Sequence, residues 1–97
     1  MKIFTNKATE FNDGKGGNLT YAHLAIYAIE KVPDGGISTS DMEARLSIRK
    51  KFKDVASEAV IELEDDELEK IKVGVSATKW NVISQDIVDF TAYINSL

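Results

Sequence analysis

Ninety-seven residues make one domain that can bury a real core without staples, and the absence of cysteine excludes a disulfide framework, a thiolate zinc site and a thiol nucleophile. A net charge of -4 with an isoelectric point near 4.9 argues against indiscriminate binding to nucleic acid. The start MKIFTNK lacks the apolar run of a signal peptide and no stretch approaches the ~20 apolar residues of a membrane span, so the expected setting is cytoplasmic, with no membrane partner.

Residues 1–11 carry Ile3, Phe4 and Phe11 without a period and read as an extended arm or a short edge strand. The glycine-rich stretch that follows, NDGKGGN at 12–18, enters a helix and invites a phosphate-cradle reading. The spacing and Lys-Ser/Thr pair of a P-loop are missing and no buried strand precedes it, so a surface loop is expected instead. Residues 19–32, LTYAHLAIYAIEKV, are the element around which the rest is organised. As a helix they place Tyr21, Leu24, Ala25, Ala28 and Val32 on one stripe and Ala22, Ile26 and Ile29 on a second, which predicts burial nearly all round. Asn18 or Thr20 can serve as N-cap, and Pro33 ends the run.

Pro33-Asp34-Gly35-Gly36 is a turn signal that reverses the chain. Ser38, with Asp41 three residues on and the Ile37 to Met42 staple spacing, opens a second helix. Its apolar pattern changes phase. Met42 and Leu46 share one face, whereas Ile48, Phe52 and Val55 share another, displaced by roughly a third of a turn. Either this helix is covered on two sides, or it breaks near Ser47 into a helix-turn-helix in which Ser47 caps a further helix to about Ala56. Arg45, Arg49, Lys50, Lys51 and Lys53 crowd into residues 45–53, and residues 54–69 hold eight acids and no base. Two solvated faces that attract each other across a turn explain this arrangement, as do faces for charged partners.

Residues 59–63 are β-rich and predict a short strand, paired with the residues around Ile37. For 65–79 the stripe Leu68, Ile71, Val75, Thr78 favours a helix, with Asp65, Asp66 and Glu67 at its positive end and Lys79 at its negative end. Gly74 within it costs roughly 1 kcal/mol against alanine but would let another helix approach closely. The alternative is a pair of strands, 59–64 and 69–76, forming the wing of a winged helix. Trp80 is expected to anchor the core at the helix end, with Asn81 as C-cap. Ile83, Ser84 and Val88 repeat the staple-and-cap signature, and Ile87, Phe90, Ile94 and Leu97 give a last helix over 84–96. The fold class expected is therefore mainly α: a single domain, 1–97, with an N-terminal arm and Gly-rich loop at 1–18 and a helical core at 19–97. About four helices would surround the buried central one, with at most a short two-stranded β element.

No chemistry-bearing constellation stands out. The sole histidine, His23, lies on the central helix and reads as a core or boundary side chain. The carboxylates from Glu62 to Glu69 form one run without the alternating pattern of a calcium loop. No catalytic residue, metal ligand or cofactor is expected, and the chain reads as non-enzymatic.

The apolar helix beginning Leu19-Thr20-Tyr21, the turn Pro33-Asp34-Gly35-Gly36, a helix with Met42 and Arg45, the acidic Leu63-Glu64-Asp65-Asp66 opening another helix, and Trp80 near its end together resemble small accessory proteins encoded by bacteriophage or prophage genomes. The resemblance implies a mobile-element setting in a host cell, in which small acidic proteins work by binding a host or phage protein. It carries no functional residue across. Two functions remain open. In the first, a protein-binding accessory or regulatory module uses an acidic face of Glu58, Glu62, Glu64, Asp65, Asp66 and Glu69, or self-associates. In the second, a helix-turn-helix or winged-helix regulator meets nucleic acid through Arg45, Arg49, Lys50 and Lys53.

Overall fold

The central helix α1, Tyr21–Glu30, packs against all three other helices: α2 (Thr39–Phe52), α3 (Asp65–Ala77) and α4 (Gln85–Ser96). The computed structural model describes residues 1–12 and 17–97, and the glycine-rich loop reading falls largely on residues 13–16, outside the described residues. Tyr21, Ala22, Leu24, Ala25, Ala28 and Ile29 of α1 are buried, as its two apolar stripes predict, whereas Ile26 is only partly buried and Val32 lies beyond the helix and is 65% exposed. Burial is not complete all round, however: His23, Tyr27 and Glu30 follow one another at helical spacing on a face left open.

The fold is α+β, which corrects the expectation of a mainly α bundle. Two separate antiparallel pairs frame the helices: β1 (Lys2–Thr5) with β4 (Val60–Leu63), and β2 (Ala8–Asn12) with β3 (Asn18–Thr20). Strand β4 lies where the sequence predicts it, but its partner is the N-terminal arm and not the segment around Ile37, with Phe4 opposite Ile61. The arm, which reads as extended or as a short edge strand, is an edge strand in β1, and its second strand β2 is not anticipated by the sequence because few of the arm's buried side chains are apolar. Phe4 is buried while Ile3 is about half exposed, and the next buried positions are the polar Asn6 and Thr9. No hydrophobic alternation survives to be read.

Asn6 ties the arm to the rest. Its side-chain amide donates to the Val55 and Ala56 carbonyls at 3.2 and 3.1 Å, and its Oδ1 accepts from the Ala22 backbone N–H at 2.7 Å. One buried side chain thus satisfies a free donor in the first turn of α1 and fixes the 55–59 turn against β1. His23 completes the helix start: its Nδ1 accepts from the Thr20 N–H at 2.9 Å, the reciprocal half of a capping box. The histidine is therefore exposed and local, not a core side chain.

Helix α2 begins where the staple and cap predict, with Ser38 Oγ accepting from the Asp41 N–H at 3.2 Å. It runs unbroken through Ser47 to Phe52, burying Ile48 and Phe52. The change of apolar phase therefore marks two faces of one helix, and the hinge of a helix-turn-helix is absent. Residues 65–77 are helical, which removes the wing. Helix α3 approaches α1 closely at Gly74, where a Cβ would lie a tight 3.2 Å from the Ala28 carbonyl oxygen. The turn before α2 needs glycine, with Gly35 and Gly36 at φ 90° and 95°.

One connected core joins the elements through a chain of aromatic rings. Phe4 meets Phe52 edge-on at 5.0 Å and Tyr93 at 5.6 Å; Tyr21 meets Phe90 at 5.3 Å and Tyr93 at 5.6 Å. The Tyr93 hydroxyl accepts from the Thr5 N–H at 2.8 Å, covering the outer edge of β1. Among the described residues no buried side-chain polar atom lacks a partner.

Candidate functional site

A groove of about 520 Å³ runs along the open face of α1, walled by Phe11, Leu19, Ile26, Tyr27, Trp80, Val82 and Ile87. Helical spacing puts His23, Tyr27 and Glu30 along this face, and the chain beyond α3 brings Trp80 to them. Helix α3 stops when Thr78 turns extended, with its hydroxyl donating to the Gly74 carbonyl at 2.6 Å. The C-cap is thus Thr78, three residues before the expected Asn81. Trp80 then lies over Tyr27, the rings stacked 5.2 Å apart and 25° from parallel. The Lys31 ammonium sits 4.3 Å from the centre of the Tyr27 ring.

Trp80 touches the edge of the core, as an anchor would, yet it is only partly buried and forms a wall of the groove. The apolar surface continues past it. Val82 is about half exposed and Ile83 is fully exposed, while Val88, which would close the predicted staple on Ile83, is itself 59% exposed. The staple is therefore not made, and its apolar side chains face outward. Ser84 still caps α4, accepting from the Asp86 N–H at 3.1 Å.

Two of the few polar groups at the groove are already engaged. The Glu30 carboxylate accepts from Arg49 at 2.9 Å, and His23 Nδ1 is held by the cap. Tyr21, in the core against Phe90 and Tyr93, has its hydroxyl pKa raised by burial and by the nearby charges of Asp89 and Asp86. No nucleophile stands beside a base here. Among the described residues no three histidine, cysteine or carboxylate groups converge to hold a metal ion, and no helix is long and apolar enough to cross a membrane.

The basic cluster is largely structural. Arg45 is mostly buried; it binds Asp41 at 3.2 Å and donates to the Ile29 and Lys31 carbonyls at 3.0 and 3.1 Å, closing the C-terminal end of α1. Lys51 binds Glu67 at 2.6 Å, and Lys70, outside the cluster, binds Asp41 at 2.7 Å. The hydrogen bond from Lys70 and the charge of Arg45 hold the Asp41 carboxyl below its ordinary pKa, against partial desolvation. Burial pushes Glu67 up, but the Lys51 bond, the Glu64 N–H and the Lys51 charge outweigh it and leave Glu67 lowered. Lys50 and Lys53 carry no ion-pair partner among the described residues.

The acidic residues are spread from the 55–59 turn along β4 to the second turn of α3 and do different things. Glu64 and Glu67 form the start of α3, the Glu64 N–H donating to Glu67 at 2.9 Å. Asp65 lies 3.8 Å from the N-terminal amine, and Glu58 sits in the left-handed region at φ 70° within the 55–59 turn. Glu62, Asp66 and Glu69 are exposed.

Sequence reasoning missed Tyr27. The signal was present in its spacing from His23 and Glu30, which places an aromatic on the polar face of an otherwise apolar helix. No protein-family model, curated protein or solved structure matches this chain.

Proposed function

We propose that this chain is a non-enzymatic accessory or regulatory protein that works by binding another protein, with the Tyr27–Trp80 groove as its contact. The observation that carries this reading is the coincidence of an apolar groove of about 520 Å³ with the stacked aromatic pair and the exposed Val82 and Ile83. Binding energy concentrates in aromatic anchors set in apolar pockets. The exposed acids of β4 and α3 would each add only ~0–1 kcal/mol, so they suit steering better than anchoring. The resemblance to phage and prophage accessory proteins supports a host-cell cytoplasmic setting and a host or phage protein as the partner.

Affinity capture from lysate of the producing cells tests this with the wild type and a Tyr27→Ser/Trp80→Ser variant whose circular dichroism remains native. A polypeptide retained by the wild type and lost by the variant is the expected outcome. Equal retention by both, or none by either, contradicts the reading.

A further inference from the structure

A second surface lies on the outside of α2 and shares Glu30 with the aromatic groove. Met42 and Leu46 stand one turn apart on the outer side and are 46% and 49% exposed. With Val32, 65% exposed, and the partly buried Ile37, they border a shallow apolar groove of about 120 Å³ between α2 and the end of α1. Among the described residues this ridge stays about half exposed, while α2 buries Ile48 and Phe52 on its inner side.

Bases predominate beside it, although Glu30 lines the groove and the exposed Glu43 stands three positions before Leu46. Residues 45–53 hold five bases and no acid in a chain of net charge -4. Arg49 and Lys50 follow Leu46 by three and four positions, which puts both in the next turn of the same face. Lys50 has no ion-pair partner among the described residues. Arg49 is engaged only by Glu30, in a pair whose side chains are 50% and 49% exposed, and such a pair exchanges readily.

We propose that this face binds an acidic amphipathic helix of a partner protein. Its apolar side chains would lie along Met42, Leu46 and Val32, and its carboxylates would take Arg49 and Lys50, displacing Glu30 from Arg49. An i, i+4 apolar ridge on a helix packs into the groove between side-chain rows of a second helix. The charge is complementary to carboxylates. An apolar centre three to four residues wide favours a protein over nucleic acid, whose phosphates would leave Met42 and Leu46 without partners.

The test is selection from a displayed library of 16-residue amphipathic helices, with charged positions randomised, against the full-length protein. Selected peptides are then assayed by fluorescence anisotropy on Leu46→Glu, Leu46→Ala, Arg49→Glu/Lys50→Glu and Tyr27→Ser/Trp80→Ser variants. Enrichment of aspartate and glutamate beside the apolar positions is expected. Affinity should fall at least about tenfold in Leu46→Glu and in the double charge reversal, less in Leu46→Ala, and remain unchanged when Tyr27 and Trp80 are replaced. Glu30→Gln, which frees Arg49, should tighten binding roughly two- to fivefold. No enrichment, enrichment of basic peptides, or binding that depends on Tyr27 and Trp80 instead of Leu46 would overturn the proposal. So would salt-sensitive binding of a mixed-sequence DNA duplex through Arg49 and Lys50 that Leu46→Ala leaves intact.

Discussion

Two sets of aromatic rings in this small protein do opposite jobs. Phe52, Phe4, Tyr93, Tyr21 and Phe90 meet in a chain through the core, three of the four contacts edge-on and the Tyr21–Tyr93 contact tilted, and Phe4, Phe52 and Phe90 are at most 1% exposed. Tyr27 and Trp80 stack on each other at the opening of a groove, with Tyr27 36% exposed. Rings in the first set have their surface covered by the chain itself and contribute to folding. The second pair keeps part of its surface in contact with water, so its remaining burial is available to a partner.

This contrast predicts a graded response to substitution. Removing the Phe4 ring should have the largest effect, since Phe4→Ala leaves a cavity against Phe52 and Tyr93 and is expected to cost about 3–5 kcal/mol in denaturant unfolding. A loss below about 1 kcal/mol would mean that the arm is not part of the core. Next comes Asn6→Ala, which strands the Ala22 N–H and the Val55 and Ala56 carbonyls; about 2–3 kcal/mol is expected by the same measurement. Tyr27→Leu should cost less, about 0.5–1.5 kcal/mol, because it keeps an apolar side chain on α1 and loses mainly the stack on Trp80. A cost as large as that of Phe4→Ala would erase the distinction between the two sets.

The smallest effect expected is electrostatic and lies away from both. Asp41 and Glu67 have folded pKa values below their ordinary 3.8 and 4.5. A lowered folded value means that the unfolded chain takes up protons first as pH falls. Their stabilisation is complete above the ordinary values and is lost as pH drops below 4.5 and 3.8 toward the folded ones. Thermal melts across that range should show a steeper acid-side fall in the wild type than in a Lys51→Met/Lys70→Met variant. Identical slopes would show that these two cations do not act on Asp41 and Glu67.

Much of the helical frame was legible in the sequence. Apolar periodicity located α1 and α4, the Pro33–Gly36 turn located the reversal, and the acids at 65–67 marked the start of α3. Gly74 stood out as a point of close approach, and Ala28 lies at that point. The β-structure was legible only in part. Strand β4 has the pattern of a strand, but its partner depends on Asn6, whose role arises from contacts with residues 22, 55 and 56 that no local pattern records. The phase change in α2 was visible but allowed two explanations, and only tertiary packing distinguishes a break from a second face. The groove was the least legible feature. Trp80 reads as a core residue in isolation, and Tyr27 gains significance only once Trp80 is folded back over it.

The most direct test of the central claim is site-specific photo-crosslinking in the producing cells, with a benzophenone amino acid at position 27 and, in a separate strain, at position 66 among the exposed acids. A discrete adduct with another polypeptide from position 27, and little or none from position 66, is the result predicted here. Adducts from position 66 alone, or no adduct from either, would contradict the claim that the open aromatic pair is a binding site.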